Sequence, residues 1–118
     1  MRKIIAIIIL VICGILNIYA DKYDVKNIFY KERVEYDTRA IDNYGNIKEI
    51  DYILRPTQID EGKYTVKLTR VDTNIYKIDG TDFYIETQFC YEYCYSEEVL
   101  LIIHNYADRS FGIVVFYD

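Results

Sequence analysis

The chain has no tryptophan, one proline, one histidine and five glycines among its 118 residues. No internal repeat and no low-complexity segment appears. A single His104 leaves little for a histidine-based metal site, and no G-x-S-x-G, G-x-x-x-x-G-K-[ST], H-E-x-x-H or EF-hand loop is present. Helical periodicity of useful length is missing too, which argues against a helical domain. Beyond Arg2 and Lys3 at the N-terminus no basic cluster appears, and the net charge is −5. Nucleic acid and anionic membrane surfaces are therefore not expected as partners. What the chain does hold is apolar: 52% hydrophobic residues exclude simple disorder, and fourteen tyrosines suit half-buried sheets.

The first twenty-one residues read M-R-K-I-I-A-I-I-I-L-V-I-C-G-I-L-N-I-Y-A-D. Arg2 and Lys3 precede an apolar run from Ile4 to Leu16, and Ala20 is a small residue before Asp21. This is the pattern of a secretory signal peptide cut after Ala20, with residues 21–118 as a single mature β domain. The run is short of the ~20 apolar residues of a spanning helix. Two alternatives stay open: an uncleaved anchor, favoured by the bulky Ile18 three positions before the cut, and lipidation at Cys13, disfavoured by Ile12 before it. A membrane enters as a partner only through such an uncleaved segment. Loss of Arg2 and Lys3 from 14 basic residues leaves 12 against 19 acidic ones, a mature charge of −7.

The mature sequence reads as short strands. Asp21–Asn27 is a polar lead-in. A strand follows over roughly 27–37, then the turn Asp42-Asn43-Tyr44-Gly45-Asn46, then a strand from Ile47 to Leu54 that Pro56 stops or marks as an edge. Lys63–Val71 alternates cleanly, with Tyr64, Val66 and Leu68 on the apolar parity. Ile75–Ile78 leads to Asp79-Gly80, where a type I′ turn with two positive φ angles is expected before a strand from Phe83. Val99–Ile103 and Phe111–Tyr117 are apolar on both parities, the mark of central or sandwiched strands, joined through a loop at 105–110. Together these predict an all-β fold: a small antiparallel β-sandwich or barrel of about seven strands. The expected core is Tyr64, Val66, Leu68, Ile85, Phe89, Leu101, Ile103, Ile113 and Val115.

The stretch F-Y-I-E-T-Q-F-C-Y-E-Y-C-Y, Phe83–Tyr95, is aromatic and apolar at every second position. Thirteen residues in one strand would span ~40 Å, long for a small domain, so a break near the cysteines is expected. Cys90 and Cys94 are the only cysteines of the exported form, and one disulfide between them is expected. The bond requires a break: in a straight strand their Cα atoms would lie ~13 Å apart, where a disulfide needs about 4.4–6.8 Å.

For function, the sequence points to a non-enzymatic exported binding or interaction module, taking a protein partner, a glycan, or an enzyme or toxin that it blocks. The candidate binding residues are Tyr84, Tyr91, Glu92, Tyr93 and Tyr95, because tyrosine supplies large contact area with few rotatable bonds. The rival is a small exported hydrolase using His104 and carboxylates such as Asp60-Glu61, Glu97-Glu98, or Glu86 with Glu92. No catalytic residue, metal ligand or cofactor is assigned. Intact mass of the protein from its native cells should show a chain beginning at Asp21; a mature species starting at Met1 would sink cleavage.

Overall fold

The computed structural model describes residues 20–117. The expected signal peptide, apart from Ala20, lies at 1–19, outside the described residues. Along the chain run β1 (Asp21–Arg33), β2 (Arg39–Ile41), β3 (Ile47–Glu49), β4 (Tyr52–Pro56), β5 (Gly62–Asp72), β6 (Ile75–Ile78), β7 (Phe83–Gln88), β8 (Glu97–Tyr106) and β9 (Arg109–Phe116). The fold is all-β. Six strands close an antiparallel barrel in the order β1-β7-β6-β5-β8-β9, because β9 returns to pair with the first half of β1. β4 is an extra strand on the second half of β1, and β2 with β3 forms a separate two-stranded ribbon. The architecture is thus the barrel rather than the sandwich.

Closure depends on Asp21–Asn27, which is a strand and not a lead-in. Asp21–Val25 pairs with Phe116–Gly112, and Asp24–Tyr30 pairs with Gln88–Phe83. A register shift between Val25 and Asn27 marks a bulge. The bulge puts Val25 and Ile28, three residues apart, both into the core. That extra residue masks the alternation in the sequence.

The barrel interior holds Leu68, Tyr76, Ile85, Val99, Leu101, Ile103, Val114 and Phe116, all essentially buried. The edges of Tyr23 and Tyr76 pack against the Phe116 ring at centroid distances of 5.8 and 6.1 Å. Of the expected core, Leu68, Ile85, Leu101, Ile103 and Val115 are buried, and Tyr64 and Val66 pack half-buried against it. Ile113 is only half-buried, because Ser110, Gly112, Val114 and Phe116 are the inward residues of β9. The choice of parity follows from Gly112. A Cβ there would sit 1.8 Å from the Ile102 carbonyl oxygen, so only glycine fits. Phe89 is 69% exposed, the clearest departure from the expected core.

Asp79-Gly80 does turn the chain between β6 and β7, which pair antiparallel. Only Gly80 has positive φ (79°), so the turn is not type I′. The connection runs to Asp82 and is held by the Thr81 N–H and hydroxyl, both donating to the Ile78 carbonyl. Asp79 is there for its side chain, which accepts from Thr69 and Ser96. The expected 105–110 loop shrinks to Ala107-Asp108, with Ala107 at φ 58°.

No residue between Phe29 and Asp60 is buried. This part of the chain is an arm: β1 with β4, then β2 with β3, then the expected turn, where the Asp42 carboxylate accepts from the Tyr44 and Asn46 N–H groups. β4 is the open edge of the large sheet. Thr57 N–H donates to Ile28 and Val34 N–H to Asp51, so the odd-numbered residues of this strand face β1. Tyr52, Leu54 and Pro56 therefore turn their main chains outward, and Pro56 has no N–H to offer. A proline on the outward register is a guard against edge pairing.

Two variants test the packing. Leu101→Ala should cost about 2–5 kcal/mol in denaturant melts, as for a fully packed leucine. Gly112→Ala should be at least as severe, since the clash is with backbone. A loss below ~1 kcal/mol at Leu101 would contradict its burial.

Candidate functional site

β7 and β8 are separated in the barrel by β6 and β5, so their connection must cross one open end. Residues 89–96 make that crossing as a strap. Phe89 (φ 55°) and Ser96 (φ 52°) are both left-handed and bracket it. The chain bends at Phe89 and again at 95–96 and runs without a bend over 90–94. Exposure alternates along this straight run, with Cys90, Glu92 and Cys94 facing the barrel and Tyr91 and Tyr93 facing solvent.

The left-handed turn at Phe89 reverses the strand's parity. In β7, Ile85 and Thr87 point inward. Continued alternation would send Phe89 and the tyrosines inward as well. Instead Cys90 is 0% exposed, while Phe89, Tyr91, Tyr93 and Tyr95 are 69, 73, 85 and 85% exposed. Four aromatic side chains thus stand outside the barrel on one short segment.

The strap is pinned along its length. The Asn74 side chain accepts from the Cys90 N–H (2.9 Å) and from the Thr87 hydroxyl (3.0 Å). The Tyr76 hydroxyl donates to the Glu92 carbonyl at 2.6 Å. That hydroxyl has one proton, so the Cys90 thiol, 3.2 Å away, is the donor in their contact. The Tyr23 hydroxyl donates to the Glu92 carboxylate at 2.7 Å. Further along, Arg70 N–H donates to the Cys94 carbonyl at 3.0 Å, and Ser96 N–H to the Thr69 hydroxyl at 3.0 Å. The Arg70 guanidinium lies over the Tyr93 ring, 5.2 Å from its centroid, a cation–π contact.

The expected disulfide is not formed: Cys90 and Cys94 are both free thiols. The break in the strand falls at Phe89, before both cysteines, and leaves the segment between them extended. Four residues of extended chain separate their Cα atoms by ~13 Å, beyond disulfide reach. Both are used as apolar plugs, Cys90 within the core and Cys94 packed against it.

Tyr91, Glu92, Tyr93 and Tyr95 are therefore brought together on the strap, but Glu92 faces the barrel while the tyrosines face out. Tyr84 is elsewhere. It sits near the start of β7, opposite Phe29 and Lys77. The residues that hold the strap, Asn74, Tyr76, Tyr23 and Arg70, are not apparent in the sequence; the only signal is an asparagine in the β5–β6 turn, where it adopts φ 58°.

The hydrolase residues do not converge. His104 is exposed near the other end of β8 and leans on Phe111. Glu86 pairs with Asn27 and Lys26. A cleft of about 430 Å³ at the base of the arm gathers Glu35, Asp37, Glu49 and Asp51 with Arg33 and Arg39, but not His104. Among the described residues no group of three or more His, Cys, Asp or Glu is placed to hold a metal ion.

Three acids around the strap are held protonated by the fold. Burial, and then Glu97, pushes the Cys94 thiol from 9.0 up to about 11. Burial and then the Cys90 contact raise Tyr76; the hydrogen bond to Glu92 and then burial raise Tyr23. A raised folded-state value means the stabilisation is whole below the unfolded value and is lost as pH climbs through the folded one. The melting temperature should therefore fall as pH rises from about 9 to about 11. The Tyr23→Phe, Cys94→Ala double variant should fall less steeply in the same melts; an unchanged slope would count against this assignment.

No family model, no curated protein and no solved structure matches this chain, so the strap's role is read from its own geometry.

Proposed function

We propose that the protein is an exported, non-catalytic binding module and that the outer face of the strap is its contact surface. One observation carries this: four exposed aromatic side chains stand on a segment pinned to the barrel at Cys90, Glu92, Cys94 and Ser96. Aromatic rings give large contact area at low cost in side-chain entropy. Grouped exposed apolar surface on a small protein marks an interaction site. The pinning removes the ordering cost that a mobile loop would incur on binding. Export is supported by the basic start, the apolar run and Ala20 at the N-terminus. The partner is a protein or a glycan.

The test is recovery of a ligand from the native extract by the purified protein, followed by mass spectrometry and measured affinity. The triple variant Tyr91→Ser, Tyr93→Ser, Tyr95→Ser should fold normally and lose roughly 2 kcal/mol or more of binding, as central aromatic contacts do. Unchanged affinity in a folded triple variant would remove the strap from the contact surface.

A further inference from the structure

The strap carries a second feature besides its rings. In an extended chain the N–H and C=O of one residue point to the same side, and those of the next residue to the other. The even residues turn their main chains to the edge nearest β5 and β6: Cys90 through its N–H to Asn74, Glu92 through its carbonyl to Tyr76, and Cys94 through its carbonyl to Arg70. The odd residues must then turn their main chains to the opposite edge. Among the described residues, the N–H and C=O of Tyr91 and Tyr93 have no partner. Two alternate residues with free donors and acceptors on one side are the hydrogen-bonding edge of a β-strand.

We infer that this edge takes an extended polypeptide segment by strand addition. The inference rests on the strap being a contact surface and names the partner's chemistry: a peptide in β conformation rather than a glycan. Strand addition supplies main-chain bonds for affinity, while alternate side chains supply choice. The added strand would lie ~4.8 Å from the strap. Its alternate residues would then stand beside Tyr91 and Tyr93, and apolar or aromatic ones would be favoured there. The open edge of the large sheet supports the distinction. β4 carries Pro56 on its outward register, whereas no proline lies in 89–96.

The test uses a phage-displayed library of linear peptides selected on the purified protein, with a glycan array in parallel. A selected peptide is then resynthesised with single backbone N-methyl groups along its length. Strand addition predicts that N-methylation weakens binding by about tenfold at every second residue and little between them. It also predicts that Tyr93→Pro, which deletes an edge N–H, weakens binding more than Tyr93→Ala, which keeps it. Melts of both variants check the fold, and the N-methyl series needs no variant at all. A peptide insensitive to N-methylation, or with no alternation, overturns the inference. Selection of no peptide, with a glycan whose binding is lost in the triple serine variant, overturns strand addition and leaves the contact surface standing. Ligands of either kind that ignore the three tyrosines overturn both.

Discussion

The left-handed backbone of Phe89 decides the outside of this molecule. A non-glycine residue in that conformation costs roughly 1–2 kcal/mol. The next residue along the chain holds it there: the Cys90 side chain enters the core, and the Cys90 N–H finds the Asn74 carboxamide. Each net hydrogen bond of this kind contributes about 1 kcal/mol, and a buried small side chain adds to it. With that one reversal, every second residue that would have been core becomes surface. Without it, Tyr91 and Tyr93 would crowd an interior already filled by Tyr76 and Phe116.

The same barrel shows what was legible in the sequence and why the rest was not. β5 was readable because each parity has one character from Lys63 to Thr69, and the structure puts Leu68 inside with Tyr64 and Val66 beside it. β8 was readable as doubly apolar, and its inward residues Val99, Leu101 and Ile103 are buried. β9 has the same composition, but its facing is set by Gly112 against the Ile102 carbonyl, a tertiary contact with no local signature. The first half of β1 was hidden by its bulge, and with it the evidence for closure. Barrel or sandwich turns on the pairing of that half with β9.

At the strap, residue types were legible and direction was not. The aromatic run announced itself, and a break near the cysteines followed from length alone. The break falls at Phe89, a residue that favours extended backbone, because Asn74 and the core hold it there. The disulfide expectation failed for the same reason: a break ahead of both cysteines leaves them on one straight segment. Tyr84 looked equivalent to the other tyrosines, yet sheet register places it near the far end of β7, across from Phe29.

Topology explains why the barrel has straps at all, and also why this one is unlike the other. The β5–β6, β6–β7 and β8–β9 connections join neighbours and are short. Within the seven-stranded sheet, two connections join strands that are not neighbours: β4 to β5, and β7 to β8. Residues 57–61 make the first, dropping Ile59 onto the core while Ser110 and Asn105 hold its main chain. Residues 89–96 make the second, dropping Cys90 and Cys94. Both solve one problem, covering an apolar barrel end with few inward residues and side-chain hydrogen bonds. Their outward residues are under no such demand. On the first strap Gln58, Asp60 and Glu61 face water, as surface residues ordinarily do. On the second Phe89, Tyr91, Tyr93 and Tyr95 do. The fold asks for a strap and for its inward plugs; on the outer face only the Tyr93 ring meets a barrel side chain, the Arg70 guanidinium, among the aromatic contacts of the described residues. Phe89, Tyr91 and Tyr95 are therefore aromatic beyond what packing of the barrel accounts for, and that excess is the ground on which the strap is proposed as a contact surface.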